Sequence, residues 1–435
     1  MVPGGLPYIG YAVALNRNPV EFLRSAQARY GDMFRFRLLG HTVHALLSSR
    51  GNQAIFRAPD HVLDFRDAYR FTIPIFGKGV AYDVAPELMD QQLRLIHPGL
   101  RDEAMQSYAA IMVQEVETFA ARLGEAGEID LPAALNELTI FIAGRCLLGD
   151  EFRSRLSDEF PALYRDLEGG INLIAFVAPH APTPKNLRRD RARRKIATTI
   201  STMLTDRRRS GIVRDDFLSA LMAARYADGT TLADDAITGL LLTLLFAGQH
   251  TSAVMATWLG ILLMIHSDYR EAVRREATDV LNGTADVDKL KRLRQMENCL
   301  KEAERLYPPL VMLMRKALSP FEVGGAIIPA GDLVMVSPAV SHRQEKVFRN
   351  PDAFDPERFA PPREEDRATP YSLIGFGGGK HRCVGMAFAH QQIKVIWGIL
   401  LQRCEFDLIG RDVHPDYATF VVGPRHPCRA RYRRR

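Results

Sequence analysis

A glycine-rich loop that carries one cysteine and runs directly into a helical pattern constrains this chain more than any other feature. The loop is 376–385 (FGGGKHRCVG), and the helical pattern extends from Val384 to about Gln402. A cysteine at a helix start faces unpaired backbone N–H groups and the positive end of the helix dipole. Because both favour the thiolate over the thiol, Cys383 is predicted to be an anionic sulfur ligand.

The residues around Cys383 indicate what its sulfur would bind. The glycines 377–379 remove side-chain bulk and let a large flat group approach the backbone. Lys380, His381 and Arg382 add cations suited to carboxylates on that group. A thiolate, a flat face and cations for propionates together favour haem b with an axial cysteine.

The loop has two other possible roles besides haem binding. Glycines before a lysine are typical of phosphate-binding loops, but no Ser or Thr follows Lys380 and the first glycine of that spacing is missing. A lone cysteine in a turn is more often a buried structural residue. The coincidence of loop, helix and cations favours the haem–thiolate interpretation.

The pattern Phe-x-x-Gly-x-(Arg or His)-x-Cys-x-Gly resembles the haem-binding signature of the cytochrome P450 monooxygenases, and the resemblance extends over essentially the whole chain. It implies that Cys383 is the iron ligand. The other loop residues that it implies in haem binding are Phe376, Gly379, His381 and Gly385. His381 stands where most members have Arg, a choice typical of the sterol 14α-demethylases.

The most apolar stretch, Ala236–Ile265, carries one ionisable side chain, His250. Thr231 followed by Asp234 is a capping signal for a helix start there. A transmembrane span is the alternative, but the small and polar residues 247–252 (AGQHTS) interrupt its centre. A central helix buried on all sides of a large protein is therefore predicted.

The polar centre of this helix suits dioxygen chemistry. Splitting an O–O bond in a dry pocket needs two protons; Thr251 can hydrogen-bond a peroxide or a water, and His250 can supply protons. The alternative is a kink filled by satisfied polar groups. The sequence A-G-x-H-T-S is similar to the oxygen-binding helix of sterol 14α-demethylases, which implies that His250 and Thr251 are catalytic and that Ala247 contacts substrate.

An aromatic segment broken by Pro and Gly, residues 69–83 (YRFTIPIFGKGVAYD), is the main indicator of substrate. A loop whose aromatic side chains plug the core is the alternative. The segment resembles the substrate-recognition loop of sterol 14α-demethylases. The residues that it implies in the pocket are Tyr69, Phe71, Phe76 and Tyr82, with Tyr69 also near a haem propionate. A phenylalanine at position 71 is similar to what is found in family members that prefer sterols with one methyl group at C4.

Residues 163–170 (LYRDLEGG) resemble the second substrate motif of that family, but Leu173 stands where a proline is common. Residues 308–314 (PPLVMLM) would place Met312 and Met314 beneath a flat ligand. Arg315, and Arg94 from an earlier helix, would hold the propionates. A fused-ring sterol is almost wholly apolar, so an aromatic and aliphatic lining suffices to bind it.

Glu302 and Arg305 lie three residues apart on one predicted helix face, a spacing that by itself describes a common surface ion pair. Followed by Pro308-Pro309 and later by Arg358, they resemble the buried Glu-Arg-Arg network of the cytochromes P450. That resemblance implies a structural role for all three charges behind the cysteine loop.

The net charge of +6 and pI of 9.1 predict acidic partners, and no recognised nucleic-acid motif accompanies the basic runs. The resemblance narrows these partners to a ferredoxin or a reductase flavin domain, and it implies azoles as inhibitors.

Five scattered cysteines indicate a reducing compartment. No signal peptide or N-terminal transmembrane anchor opens the chain. We expect a soluble cytoplasmic protein, or an enzyme trimmed of its anchor.

The expected organisation is a single domain over residues 1–435, mainly α with a small β portion. Its parts are a β-rich region about 30–50 with a hairpin over 34–48, a helical core about 86–305, short strands in 321–336, and the cysteine loop 376–385. In the cytochrome P450 fold that the resemblance implies, haem lies between the central helix and the cysteine loop.

The leading hypothesis for function is sterol 14α-demethylation. The resemblance implies three successive oxygenations by O2, from methyl to alcohol to aldehyde, followed by C–C cleavage that releases formate and leaves a Δ14 double bond. One alternative is a paralogue that hydroxylates another triterpenoid or lipid. A haem-binding carrier or gas sensor without catalysis is the alternative from another class.

Overall fold

The computed structural model describes residues 1–155, 159–212, 214, 216–282 and 285–435. Helices dominate, as expected. The α-helices are α1 (Ala12–Arg17), α2 (Pro19–Tyr30), α3 (Ser49–Arg57), α4 (Ile73–Phe76), α5 (Pro86–Ile96), α6 (Asp102–Arg122), α7 (Leu131–Leu148), α8 (Asp150–Arg155), α9 (Phe160–Gly169), α10 (Leu173–Val177), α11 (Pro184–Ser210), α12 (Phe217–Ala223), α13 (Asp234–Ile265), α14 (Ser267–Leu281), α15 (Val287–Arg292), α16 (Arg294–Leu306), α17 (Pro338–Ser341), α18 (Glu365–Ala368) and α19 (Met386–Arg403).

Three small sheets complete the fold. The strands are β1 (Met33–Leu38), β2 (His41–Leu46), β3 (Leu63–Asp64), β4 (Ala126–Asp130), β5 (Leu313–Ala317), β6 (Phe321–Val323), β7 (Ala326–Ile328), β8 (Leu333–Val336), β9 (Cys404–Ile409) and β10 (Arg429–Arg434). The largest sheet has the order β1-β2-β8-β5-β3, the second is β4-β10-β9, and β6 pairs with β7.

The predicted hairpin over 34–48 is confirmed by the antiparallel pairing of β1 and β2, which joins Met33 to Leu46. Its two-residue turn consists of Leu39 (φ +49°) and Gly40 (φ +83°). Two left-handed residues in succession match the right-handed twist of the strands that they connect. The strands predicted between 321 and 336 are also present.

Helix α13 is the long buried helix that the apolar stretch predicted, and it packs against α19. The indole N–H of Trp397 on α19 donates to the Ala256 carbonyl at 2.7 Å. A Cβ placed on Gly260 would lie 1.9 Å from the same indole, so glycine allows the two helices to approach. Among the described residues, α7 and α13 are long and apolar enough to cross a membrane, but 67% of the apolar window in each is buried inside the protein.

The predicted start of this helix was wrong. The helix begins at Asp234, with Ala233 as its N-cap and no side-chain capping bond. Thr231 instead pairs with Arg225 in an isolated β-bridge, which places it outside the helix. Asp234 forms an ion pair with Arg208 of α11.

Candidate active site

The cysteine loop is a tight turn closed by its own backbone. The Cys383 N–H donates to the Phe376 carbonyl at 2.9 Å. Gly377 and Gly379 adopt left-handed φ values of +71° and +61°. A Cβ at Gly379 would lie 2.0 Å from the Phe56 carbonyl oxygen, so only glycine fits there. The loop is thereby held against α3.

Helix α19 follows the loop from Met386, with Gly385 at its N-cap. Burial raises the pKa of the Cys383 thiol, and this effect exceeds the lowering by the backbone N–H groups of Gly385 and Met386. Without a cation at the sulfur, desolvation therefore outweighs the effect of the helix start, so the expected thiolate depends on what the sulfur binds. A metal cation at the sulfur would reverse that balance.

Cys383 is also the cysteine that faces open space. The chain's other four, which the sequence suggested merely fill space, are buried, whereas Cys383 is exposed. Protein surrounds its sulfur closely enough to desolvate it, yet one side remains accessible. Among these cysteines, Cys383 is therefore the one whose thiol a ligand can reach.

The centre of α13 also has an accessible position. Phe246 and Gln249 are buried, but Ala247 between them is exposed in the middle of the molecule. A Cβ added to Gly248 would meet no atom within 4 Å. The Thr251 hydroxyl donates to the Ala247 carbonyl at 2.7 Å, and its oxygen keeps acceptor capacity. The predicted oxygen-binding segment thus lines an internal space.

An aromatic wall connects the predicted substrate segment to α13. Ring centroids are 5.4 Å apart for Tyr69 and Tyr82, 6.0 Å for Tyr82 and Phe76, and 5.7 Å for Phe76 and Phe246. Burial raises the pKa of Tyr82, and the nearby Cys383 raises it further. The wall therefore extends from the cysteine side of the space to the exposed centre of α13.

Phe71 lies where this wall meets the surface. Its ring is 5.5 Å from both Phe176 of α10 and Phe420 near the C-terminus. Beside it is a cavity of about 380 Å³ lined by Phe71, Phe176, Val177, Pro179 and polar rim residues. Neither partner ring was predicted from the sequence, since only the fold brings Phe420 to this position.

Arg315 provides the cation that the sequence placed near a propionate. Its guanidinium lies 4.9 Å above the Phe65 ring, and burial lowers its pKa. In the described part of the chain, no carboxylate lies within 4 Å of it. Tyr69 is adjacent, since its hydroxyl oxygen accepts the Met314 N–H at 3.4 Å. A buried arginine without an anion is suited to bind a carboxylate of a ligand.

The remaining predicted cations are placed differently. Lys380 forms ion pairs at 2.8 Å with Asp60 and Asp90, so it is not the free cation that was expected for propionates. His381 also pairs with Asp60, and its ring packs 4.6 Å from Phe65. Arg94 is exposed on α5, the helix that carries Asp90.

His250 is paired across the space with α9. Its Nδ1 contacts Oε1 of Glu168, which lies in the second predicted substrate motif. In the same motif, the Tyr164 hydroxyl donates to the Phe246 carbonyl at 3.1 Å. The partnership of Glu168 with His250 was not predicted, although both segments had been identified. The side chain of Leu173 lies outside the described residues.

Met312 and Met314 are half-buried and pack against the apolar cluster of β1, β2 and β8.

Glu302 lies between two arginines, Arg305 and Arg358, and all three side chains are fully buried. Arg305 donates to it at 2.7 Å and Arg358 at 3.0 Å. The Arg305 guanidinium also donates to backbone carbonyls at 342, 351 and 353. These bonds join α16 to the segment before the cysteine loop.

Comparison with known proteins places the chain in a family. A family model described as cytochrome P450 matches residues 2–428. The chain is 38% identical to a sterol 14alpha-demethylase of Mycobacterium tuberculosis, over 100% of this chain and 98% of the relative. It is 37% identical to a sterol 14-demethylase of Arabidopsis thaliana, over 99% and 90%. It is also 37% identical to a lanosterol 14-alpha demethylase of Bos taurus, over 99% and 86%.

Among solved structures, a retinoic acid bound cyanobacterial CYP120A1 matches the fold with a TM-score of 0.88 and 22% identity, over 99% of this chain and 98% of that one. Cytochromes P450 are haem–thiolate monooxygenases, and their cofactor is haem b. The residues present fit that group, because the Cys383 thiol is accessible, Arg315 has no carboxylate within 4 Å among the described residues, and Ala247 is exposed at the centre of α13. The chain therefore belongs to the cytochrome P450 family.

Proposed function

We propose that this cytochrome P450 is a sterol 14α-demethylase that removes the 14α-methyl group as formate. One structural observation carries the proposal: the aromatic segment 69–82 forms a wall that ends at Phe246, beside the exposed centre of α13. The names of the relatives matched over the whole chain support the same substrate class.

In this proposal Cys383 holds the haem iron. Arg315, Tyr69 and His381 face the propionates, and Arg94 is a further candidate on α5. When bound, the haem supplies the activation of O2. The chain's own residues bind the sterol, exclude water and hold protons.

Sterol binding depends on the aromatic wall. Burial of apolar surface contributes about 25 cal/mol per Å², so rings at Phe71, Phe76 and Tyr82 are sufficient to hold a fused-ring hydrocarbon. We propose that the sterol enters beside Phe71, at the 380 Å³ cavity. Met312, just before β5, and Met314 on β5 would complete the lining, and the small side chain of Ala247 on α13 would leave room for the sterol.

Each oxygenation consumes one O2, two electrons and two protons; the first and third each produce one water besides the oxidised substrate, and the second, from alcohol to aldehyde, produces two. Protons must therefore reach a pocket from which bulk water is excluded. Thr251 can hold one at its Oγ1, and His250 can pass one from its imidazole, whose Nδ1 is oriented by Glu168. The third oxygenation leaves the former methyl carbon as formate and a double bond at C14.

The electron donor is a redox protein, and we propose an acidic ferredoxin or reductase flavin domain from the net charge of +6. Azoles are proposed as inhibitors. We also propose that residues 1–435 act as one domain around the Glu302 network. The burial of both apolar helices supports a soluble cytoplasmic enzyme.

The test is turnover of a 14α-methyl sterol labelled in that methyl group, with a surrogate ferredoxin and its reductase. The proposal predicts labelled formate and a Δ14 sterol in equal amounts. A titration with C4-monomethyl and C4-dimethyl sterols should shift the haem to high spin, more strongly with the former. Hydroxylation elsewhere on the sterol, or no spectral response, would contradict the proposal.

A further inference from the structure

A buried acid that the proposed reaction does not use lies directly behind the cysteine loop. Glu304 on α16 is 4% exposed. A Cβ at Gly375 would lie 2.3 Å from its Oε1, so the carboxylate fills the space that this glycine leaves. Within the described chain, no Lys, Arg or His nitrogen comes within 4 Å of that carboxylate. Glu304 is therefore a buried carboxyl without an ion-pair partner.

His390 on α19 faces the same region. Its Nδ1 lies 3.2 Å from Glu297 Oε1, and its ring packs 5.2 Å from that of Phe376. Its Nε2 is buried and has no hydrogen-bond partner among the described residues. Glu297 also forms an ion pair with Lys394, whose Nζ lies 2.6 Å from its Oε2. Nε2 of His390 is thus a buried polar atom without a partner behind the loop.

The other charged groups around Glu304 are already paired or neutral. Lys301 on the same helix pairs with Asp366 at 3.0 Å. His342, after α17, accepts the Ile374 N–H at its Nε2 at 2.8 Å, and burial lowers its pKa to about 3. Glu297 remains ionised between His390 and Lys394. Among these groups Glu304 is the one free to change charge.

Burial raises the pKa of Glu304 to about 7, and ionised Glu297 also raises it. His390, Lys301 and the Gly375 amide oppose that shift. Because the rise by desolvation dominates, the carboxyl changes charge within the neutral pH range.

The chain connects this acid to the iron ligand. Glu304 packs on Gly375; the next residue, Phe376, accepts the Cys383 N–H at 2.9 Å. The loop backbone therefore links the carboxylate of Glu304 to the residue proposed to hold the iron. A charge in a low-dielectric interior acts over several ångströms with little screening.

We propose that Glu304, together with His390, is a buried charge site that tunes the reduction potential of the haem iron and lowers that potential as the pH rises through neutrality. This rests on the proposed role of Cys383 as iron ligand. Reduction adds one electron, supplied by the redox partner, to the iron. An ionised Glu304 disfavours that added negative charge, whereas a neutral Glu304 does not. Near neutral pH, a fraction of a proton is taken up from solvent with each electron, because reduction favours the protonated form of Glu304. Glu304 is a positioning residue, since it acts through the loop.

The test is a potentiometric titration of the purified holoprotein between pH 6 and pH 8.5 (chosen as about one unit or more on each side of the pKa of the acid). The proposal predicts that the ratio of reduced to oxidised haem, at fixed applied potential, falls several-fold in the wild type over this range. Glu304→Gln should remove most of that fall and resemble the wild type at low pH. Glu322→Gln, which removes one charge from the exposed strand β6, is the matched control and should behave as the wild type. Equal pH dependence in the wild type and Glu304→Gln would overturn the proposal.

Two further measurements keep the outcome decisive. The infrared band of a protonated carboxyl in the wild-type protein should disappear between pH 6 and pH 8.5 (the same range about the pKa), and its persistence would overturn the proposal even if Glu304→Gln fails to fold. His390→Gln should shift the fall in potential to higher pH, because it removes a potential cation near Glu304. The carbon monoxide spectrum of each variant reports the thiolate ligand separately. Loss of that spectrum in the wild type would refute Cys383 as ligand and leave the infrared result to decide on the titration.

Discussion

Glu168 on α9 is in hydrogen-bonding contact with Nδ1 of His250, the ionisable residue at the centre of α13. The two residues are 82 positions apart, and each lies in a segment that resembles a motif of sterol 14α-demethylases. The pair joins the substrate side of the pocket to the helix that is proposed to deliver protons. It also orients the imidazole, because Nδ1 is held by the carboxylate and Nε2 is left as the other ring nitrogen.

Replacing His250 by Ala should slow sterol turnover by about 10²-fold, the lower end of what a positioned acid or base contributes. The haem spectrum and the sterol-induced spin shift should remain, because His250 is not placed to hold either group. Glu168→Gln should give a smaller loss, since the amide still hydrogen-bonds the ring. Glu159→Gln, whose carboxylate pairs with Lys195 at the surface, is the control. Unchanged turnover in His250→Ala would remove its role in proton delivery.

Glu302→Ala should yield little haem-loaded protein. It leaves the buried guanidinium of Arg305 without its anion and that of Arg358 with Glu365, and breaking a buried pair in this way typically costs about 3–5 kcal/mol. Glu271 offers a matched control, because it pairs with Arg274 at the same spacing on a half-exposed helix face. Glu271→Ala should cost at most about 1 kcal/mol. Haem content per mole of protein distinguishes the two, and normal content in Glu302→Ala would contradict the structural role.

Gly379→Ala should abolish stable haem loading. The added Cβ would lie 2.0 Å from the Phe56 carbonyl, so the cysteine loop must shift away from α3. Gly410→Ala is the control, because Gly410 also has a left-handed φ (+80°) but no atom within 4 Å of the new Cβ. It should carry only the backbone strain, of order 1–3 kcal/mol. Equal haem content in both variants would show that the contact with Phe56 does not hold the loop.

Phe71→Leu should relax the preference for sterols with one methyl at C4. The smaller side chain opens space where Phe71 packs against Phe176 and Phe420. A spectral titration should then show C4-dimethyl sterols binding closer in affinity to monomethyl ones. Phe119→Leu removes an equally buried ring from the core around α6 and serves as control. An unaltered ratio of the two affinities would place C4 recognition elsewhere.

The raised pKa of Glu304 predicts a pH-dependent stability. The pKa of this carboxyl is about 7 in the folded state, whereas the ordinary value for a glutamate is 4.5. The protonated form therefore favours the folded state. The stabilisation is complete below about pH 4.5 and is lost as the pH rises through about 7, which amounts to about 3 kcal/mol. Unfolding midpoints at the two ends of this range should therefore differ less in Glu304→Gln than in the wild type. Identical differences would contradict the buried titration.

Local sequence was sufficient for features whose partners lie close along the chain. The cysteine loop with its following helix, the hairpin around Leu39 and Gly40, and the buried α13 all follow from short patterns of glycine and apolar spacing. Features that join distant segments could not be read in this way. Lys380 pairs with Asp60 and Asp90 from two other elements, and Phe420 reaches Phe71 only through the fold.

The thiol of Cys383 shows a different limit. The helix-start rule gave the correct sign for the nearby N–H groups but omitted burial, which the surrounding elements impose and which has the larger effect. In the same way, Glu304 appeared in the sequence only as a neighbour of Glu302, and its burial against Gly375 became visible only in the folded chain.

The most direct test of the account is the absorption spectrum of the purified, reduced protein under carbon monoxide, for the wild type and for Cys383→Ser. The account predicts the far-red-shifted band of sulfur-ligated haem iron in the wild type and its loss in the variant. A wild-type spectrum without that band, or one that Cys383→Ser leaves unchanged, would contradict the assignment of Cys383 as the iron ligand.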